Sequence, residues 1–358
     1  MAIYAMGPVS GDHHILAGHP ASHGGLRLHL EVTSGVIEAA QIDHGFMNRG
    51  VEQLFPARDY RQGLMMANRH DWSAPSSGEF AYALAIESML GLKTPPRADF
   101  IRVIVAEIDR AASHALFLAA LPGFTSPLLS LREKLQNILE QATGARMHHH
   151  MIVIGGIHHD IDLDWLASEI TPLIHKFEEV NVQEYASNWG GVGTVSSELL
   201  INHGGSGIIL RAAGSTFDQR ISNSYSAYAS LVPNVVTRSG GDIAARIELL
   251  YEELLASLRY VLLAIEICKA ESDQEFLQRT PKNLRLPNGE VFINIEGALG
   301  LTGVALFSDG DRSPARLRLR TPSMGNLSAL EAALPGLSIE HLEIMIASWP
   351  FLPGDIDR

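Results

Sequence analysis

Leu28, Leu30 and Val32 alternate with polar neighbours, and Ser34-Gly35 follows as a turn signal, so residues Leu26 to Asp43 read as two short strands joined in a hairpin. From Val51 to Gly144 the period becomes helical, punctuated by Pro75-Ser76-Ser77 and by Pro95-Pro96. Between Arg97 and Leu121, Ile101, Ile104, Val105, Ile108, Ala112, Ala115 and Ala119 share one face, the mark of a core helix. Helical spacing returns over Leu128 to Thr143, Leu163 to Ala186 and Asp242 to Ala270, the last with Lys269 where the helix dipole favours a cation. Glu290 to Glu296, Gly303 to Ser308 and Arg316 to Arg320 predict a late antiparallel meander, followed by a short helix near Ile339 to Ala347. The pattern predicts an α+β fold: a central long-helix bundle, an N-terminal β-hairpin and a small late β meander. We divide it as an N-terminal β region with a histidine loop (1–50), a helical body (51–285) and a C-terminal meander whose tail packs back on the body (286–358), in one integrated unit.

Composition narrows the classes. With 46% hydrophobic and 19% charged residues, the 358-residue chain is expected to bury a large core. A formal charge of −13 and the lack of a Lys/Arg-rich run argue against nucleic acid as a partner. Cys268 is the only cysteine, too few for a disulfide, a thiolate zinc site or an iron–sulfur cluster. No apolar run approaches the ~18 residues that span a bilayer, and Met1 to Val9 lacks the features of a signal peptide. The expectation is a protein that meets a membrane only through partners.

Three groups of residues carry candidate chemistry. Gly18 to Arg27 puts His19 and His23 in a Pro/Gly-bounded turn, either an ordinary loop with surface histidines or a turn that presents His23 to a ligand carbonyl. In Arg146-Met147-His148-His149-His150, a strand would place His148 and His150 on one face, and zinc would need a third ligand from elsewhere; no tight ligand spacing supports it, and a histidine-based metal hydrolase is the weakest reading. Glu107, Arg110 and His114, at i, i+3 and i+7, form either a solvated face or a buried polar ladder. Gly190-Gly191-Val192-Gly193 and Gly204-Gly205-Ser206-Gly207 match no nucleotide-binding spacing, and no G-x-S-x-G elbow is present.

Taken in order, His19-Pro20, His23-Gly24-x-Leu26-Arg27, Gly50-x-Glu52, Arg69-x-Asp71, Pro95-Pro96-Arg97, Glu107-x-x-Arg110-x-x-x-His114, Gly144-Ala145-Arg146-Met147-His148, Gly155-Gly156 and the terminal Gly354-Asp355-Ile356-Asp357-Arg358 resemble the D subunit of bacterial complex I, the NADH:quinone oxidoreductase. That family is related to nickel–iron hydrogenase large subunits, and Ala57 to Trp72 looks closest to a divergent branch of D subunits. The similarity covers nearly the whole chain and implies a hydrogenase-large-subunit-like fold, with the metal cavity converted to a pocket for a quinone head. The single cysteine excludes the usual hydrogenase metal centre.

By that resemblance, this chain holds no redox cofactor, quinone is the substrate, and the electron donor is a [4Fe–4S] cluster of a neighbouring B subunit. Arg69 and His148 match cluster-proximal residues; His23 matches the quinone-contacting histidine. Where the family has a tyrosine, this chain has Trp72, whose indole can donate a hydrogen bond but not a proton. Leu118 to Pro127 and Ser348-Trp349-Pro350-Phe351 each lack a family aspartate. The implied role is a peripheral subunit on the cytoplasmic face of the membrane, inactive alone, working with B-type, C-type and membrane-arm subunits in electron transfer coupled to ion translocation. The alternative is a degenerate paralogue with a structural or assembly role and no quinone chemistry.

Overall fold

The computed structural model describes residues 1–271 and 274–358. The hairpin lies where the alternation places it: β3 (Leu26–Thr33) and β4 (Val36–Asp43) pair antiparallel across Ser34 and Gly35, which take φ +53° and +82°. Positive φ at both turn positions matches the right-handed twist of the strands. The sequence pattern missed β1 (Ala2–Met6) and β2 (His13–His14), which complete a sheet of order β2-β1-β3-β4. Ile3 and Tyr4 favour a strand, but the five-residue segment has no alternating pattern to mark it, and β3 supplies its ladder.

Short helices α1 (Val51–Leu54) and α2 (Tyr60–Ala67) lead to α3 (Ser76–Leu90), α4 (Pro96–Leu118) and α5 (Thr125–Thr143). Asp59 and Gln62 close a capping box at the start of α2. After the two-residue strands β5 (Ile152–Val153) and β6 (Gly156–Ile157), the expected helix over Leu163 to Ala186 is two helices, α6 (Leu163–Glu178) and α7 (Val182–Ser187). The break falls where Asn181 stops continuing a helix and caps the next one, its Oδ1 accepting the Glu184 N–H. Four short helices follow, α8 (Ser197–Asn202), α9 (Ile208–Ala212), α10 (Gln219–Ser222) and α11 (Tyr228–Leu231), and then the long α12 (Ile243–Glu271). Asp242 starts α12, its Oδ1 accepting the Ala245 N–H at 2.8 Å.

The meander is β7 (Gly289–Gly297), β8 (Gly300–Ser308) and β9 (Arg316–Arg320) in sequential antiparallel order. It precedes α13 (Pro322–Ala333), which the periodicity did not show, and the terminal α14 (Leu342–Ala347) and α15 (Pro353–Ile356). Helices α4 and α12 run along each other as the spine, with α5, α6 and α7 packed around them and α3 against the meander. No helix among the described residues is long and apolar enough to cross a membrane.

Helix α4 is buried on every side, not on one face, and this decides the ladder: Arg102, Glu107, Asp109, Arg110 and His114 are all sequestered. Arg110 Nε lies 3.3 Å from Glu107, and its remaining N–H groups donate to the carbonyls of Gly297 (2.8 Å) and Glu296 (2.6 Å). His114 does not join them; its Nε2 faces Glu253 of α12 at 3.6 Å. Glu107 also accepts from Tyr228 (2.6 Å) and Arg220 (3.1 Å). Burial alone would raise its carboxyl, but Arg110 and Arg220 hold it down to about 2.

Candidate functional site

His19 and His23 have opposite fates. His19 is buried beside Phe117 and Phe351, and its Nδ1 accepts the Ala21 N–H at 3.1 Å, starting the single turn Pro20–His23. Burial lowers its pKa to about 3, so it is a neutral structural ring. His23, at the end of the turn, stands exposed with its ring edge-on to Trp72, centroids 5.2 Å apart. Gly24 lets the turn close down, because a Cβ there would lie 2.3 Å from Pro353 and 2.8 Å from the sulfur of Met47.

These residues wall a cleft of about 380 Å³ lined by His23, Gly24, Met47, Trp72, Met147, Pro353 and Gly354. The walls are mostly apolar, with His23 at the edge, a lining suited to an apolar ring system with a polar tip. The C-terminal tail fixes one wall: Asp357 accepts the N–H groups of Gly45 (2.8 Å) and Met47 (2.9 Å), and Arg358 reaches Glu52 at 3.1 Å. Among the described residues no carboxylate is bonded to His23.

The histidine run is not a strand. His148 and His150 both take positive φ (+56° and +50°), two of six such non-glycine residues described, so the backbone folds sharply and the rings do not share a strand face. His148 Nδ1 lies 3.0 Å from the Asn68 carbonyl, beside Arg69; burial and the Arg69 charge lower its pKa. His150 approaches Arg69 Nη2 at 3.4 Å through Nε2 and Asn68 Nδ2 at 3.3 Å through Nδ1. No group of three or more His, Cys, Asp or Glu side chains placed to hold a metal ion occurs among the described residues.

His149, between them, turns inward. Its Nε2 lies 2.9 Å from Asp109 and its Nδ1 3.0 Å from the Ala145 carbonyl, so acceptors face both nitrogens. Burial by itself would lower the pKa; the Asp109 carboxylate overrides it and pushes His149 up to about 9. Below it, Glu79 accepts from Asn68 (2.6 Å) and from the His150 N–H (2.8 Å), and burial pushes its carboxyl up to about 7. The sequence patterns singled out neither Asp109, His149 nor Glu79; the signal available was an acid on the core helix together with a run of three histidines.

The segment from Asn68 to Ser77 that carries Arg69 and Trp72 is held from behind. Asp71 accepts the N–H groups of Ser73 and Ala74, and Asp109 that of Ser76 at 3.0 Å. Gly78 allows α3 to start against the end of α2: an added Cβ would sit 1.8 Å from the Ala67 carbonyl oxygen and 3.0 Å from His70 Nε2. Gly78→Ala is therefore expected to destabilise the chain by about 1–3 kcal/mol, read as a lower urea midpoint. An unchanged midpoint would mean that the Ala67 turn yields freely.

In the tail, Trp349 is fully buried, donating through Nε1 to the Asn326 carbonyl at 2.8 Å. The Arg246 guanidinium lies 4.9 Å over its ring and bonds to Ser348 Oγ and the Gly241 carbonyl, with no carboxylate in ion-pair reach among the described residues. Burial lowers its pKa to about 9. The indole thus covers a cation by its π face.

The structure superposes on a chain of the membrane-bound sulfane sulfur reductase, an archaeal respiratory membrane complex, with a TM-score of 0.86 and 26% identity, covering 93% of this chain and 94% of that one. Residues 123–358 match the family described as the 49 kDa subunit of respiratory-chain NADH dehydrogenase. The first-numbered D-type subunit of NADH-quinone oxidoreductase from Streptomyces coelicolor is 36% identical over 356 residues, covering 95% of this chain and 93% of the relative. The D-type subunit of NADH-quinone oxidoreductase from Dehalococcoides mccartyi is 32% identical, with 95% and 96% covered. The chain belongs to this 49 kDa, or D-type, family of complex I-type oxidoreductase subunits, in agreement with the ordered set of motifs.

Proposed function

We propose that the chain forms the acceptor pocket of a complex I-type NADH:quinone oxidoreductase, with a quinone head in the cleft between His23 and Trp72. The observation that carries this reading is the spacing of the two sides. Met147, on the cleft wall, is one residue from His148, and Trp72 is three from Arg69; one residue step is about 3.8 Å. A donor seated against Arg69 and His148 is thus a short distance from an acceptor in the cleft.

A [4Fe–4S] cluster of a B-type subunit at that face would supply single electrons. Arg69, an exposed fixed cation, favours a group that gains negative charge. His148, tied through Nδ1 to Asn68 O, keeps Nε2 available, and its lowered pKa leaves the ring ready to take up a proton when negative charge arrives nearby. His23 offers its ring nitrogens to a quinone oxygen at the cleft mouth. C-type and membrane-arm subunits complete the assembly, which places this chain peripherally on the cytoplasmic face and couples electron transfer to ion movement.

The competing reading, an assembly subunit without quinone chemistry, draws on Trp72 in place of tyrosine and on the missing carboxylate partner of His23. The open cleft beside Trp72 favours the first. His23→Ala in the purified complex is expected to lower quinone turnover by about tenfold to a hundredfold with assembly intact, the effect of losing one positioned donor. Unchanged turnover would leave the assembly role standing.

A further inference from the structure

Directly behind the cleft wall lies a set of titratable groups to which the reading above gives no part. Asp71 precedes the wall residue Trp72, and Asp355 follows the wall residue Gly354. His70 precedes Asp71 in the chain, and its Nδ1 is 2.7 Å from Asp355 Oδ1; all three side chains are buried. Asp355 Oδ2 accepts the Ser323 N–H at 3.0 Å. The hydrogen bonds of Asp71 all fall on Oδ1, from Ser73 N–H (3.0 Å), Ser73 Oγ–H (2.7 Å) and Ala74 N–H (3.1 Å). Among the described residues, Oδ2 has no such partner, and no lysine or arginine is in ion-pair reach of either carboxylate.

Two buried carboxyls without a guanidinium in ion-pair reach cannot both stay ionised cheaply, which favours a proton on Asp71. Contrast the spine, where every buried carboxylate of the Glu107 network meets an arginine. Burial, then the charge of Asp355, pushes Asp71 up to about 6, in the same direction. Of the charged groups on neighbouring elements, Arg320 of β9 interacts with Asp355 beyond ion-pair distance, while Asp109 of α4 is engaged by the Ser76 N–H and Asp357 of the tail by Gly45 and His44.

We propose that His70, Asp71 and Asp355 are the proton-holding set for the acceptor in the cleft, doing what the indole of Trp72 cannot. The proposal rests on the reading of the cleft as a quinone site. Reduction of a quinone to a hydroquinone takes two electrons, here from the partner's iron–sulfur donor, and two protons, one to each carbonyl oxygen. One new O–H bond takes its proton from a water in the cleft, and that water is reprotonated by the set, which gains a negative charge until a proton from solvent replaces the one lost. The other takes its proton at the open side, from His23 or water. The wall is thinnest at Gly354, which has no side chain and whose added Cβ would lie only 3.5 Å from the His70 carbonyl. The three residues act through this wall as positioning and proton-loading groups and do not touch the acceptor.

The test compares the intact purified complex with complexes carrying Asp71→Asn or Asp355→Asn, using a short-chain ubiquinone analogue. The amide keeps an Oδ1 acceptor for the Ser73 and Ala74 bonds while removing the titration. kcat and KM are measured from about pH 5.5 to about pH 9, with thermal unfolding of the complex as the folding control. In the wild type, kcat is expected to decline as pH rises through the titration of the set. Asp71→Asn is expected to lower kcat at least about tenfold, to leave KM within about twofold and to flatten that decline. Asp355→Asn removes the negative neighbour that raises Asp71, so the decline moves to lower pH. A purely structural role would not produce that displacement. If both variants keep the wild-type kcat and pH profile, the proposal is overturned and the quinone reading stands. If the wild-type complex reduces no quinone, both fall.

Discussion

Arg211→Met is expected to cost the fold about 3–5 kcal/mol near pH 7, enough to prevent assembly of the complex or to leave only a trace of it. Arg211 is buried and bonds to Glu253 twice, at 2.6 and 3.1 Å, to Glu296 at 2.6 Å and to the Phe217 carbonyl at 3.3 Å. Four buried carboxyls, Glu107, Asp218, Glu253 and Glu296, share three guanidiniums, those of Arg110, Arg211 and Arg220. Negative charge is already in excess by one, and Glu296 is the member that burial pushes upward. Removing Arg211 strands Glu253 and Glu296, which Arg220 does not replace because it is spent on Asp218 and Glu107. The stranded carboxyls would take up protons, so the loss should shrink as pH falls. Urea denaturation at about pH 7 and about pH 5 checks both points, and Arg238→Met provides the contrast. Arg238 pairs with Glu248 and Glu252 in partly solvated positions and should cost no more than about 1 kcal/mol. A similar small loss for Arg211→Met would show that the network is dispensable.

Asp109→Asn should lower stability by about 3 kcal/mol below pH 6.5, with the gap to wild type closing as pH rises. The pKa of His149 rises from 6.5 in the unfolded chain to about 9 in the fold, with Asp109 and the Ala145 carbonyl overcoming burial. A basic group whose folded pKa is raised contributes its full stabilisation below the unfolded value and loses it as pH rises through the folded one. The window is therefore pH 6.5 to about 9, and at about 1.4 kcal/mol per pH unit it amounts to about 3 kcal/mol. Glu79, pushed up to about 7, also favours its protonated form and also loses stability with rising pH, from 4.5 to about 7. Only the window above pH 7 belongs to His149 alone. Urea midpoints of wild type and Asp109→Asn at about pH 6 and about pH 9.5 separate the two. A gap that stays constant across that range would mean that His149 is uncharged in the fold.

The chain's periodicities determined much by themselves. Alternation placed the hairpin and the meander, and the 3.6 period placed the spine helices, because both depend on which side chains leave water and repeat along one element. The ordered motifs identified the family, and the structure brings His23 and Trp72, named from that resemblance, together on one cleft. What lay beyond the sequence was decided by residues far apart in the chain. Strand β1 exists because β3 offers it a ladder, and α4 is buried all round because α12 and α5 pack along it. The backbone takes positive φ at His148 and His150, so the two rings do not share a strand face, and Asp109 holds His149 inward. Asp355 finds His70 across 285 positions, and Arg211 finds Glu296 across 85. A buried charge is stable only beside its partner, and which partner arrives is a property of packing in three dimensions, not of spacing along the chain.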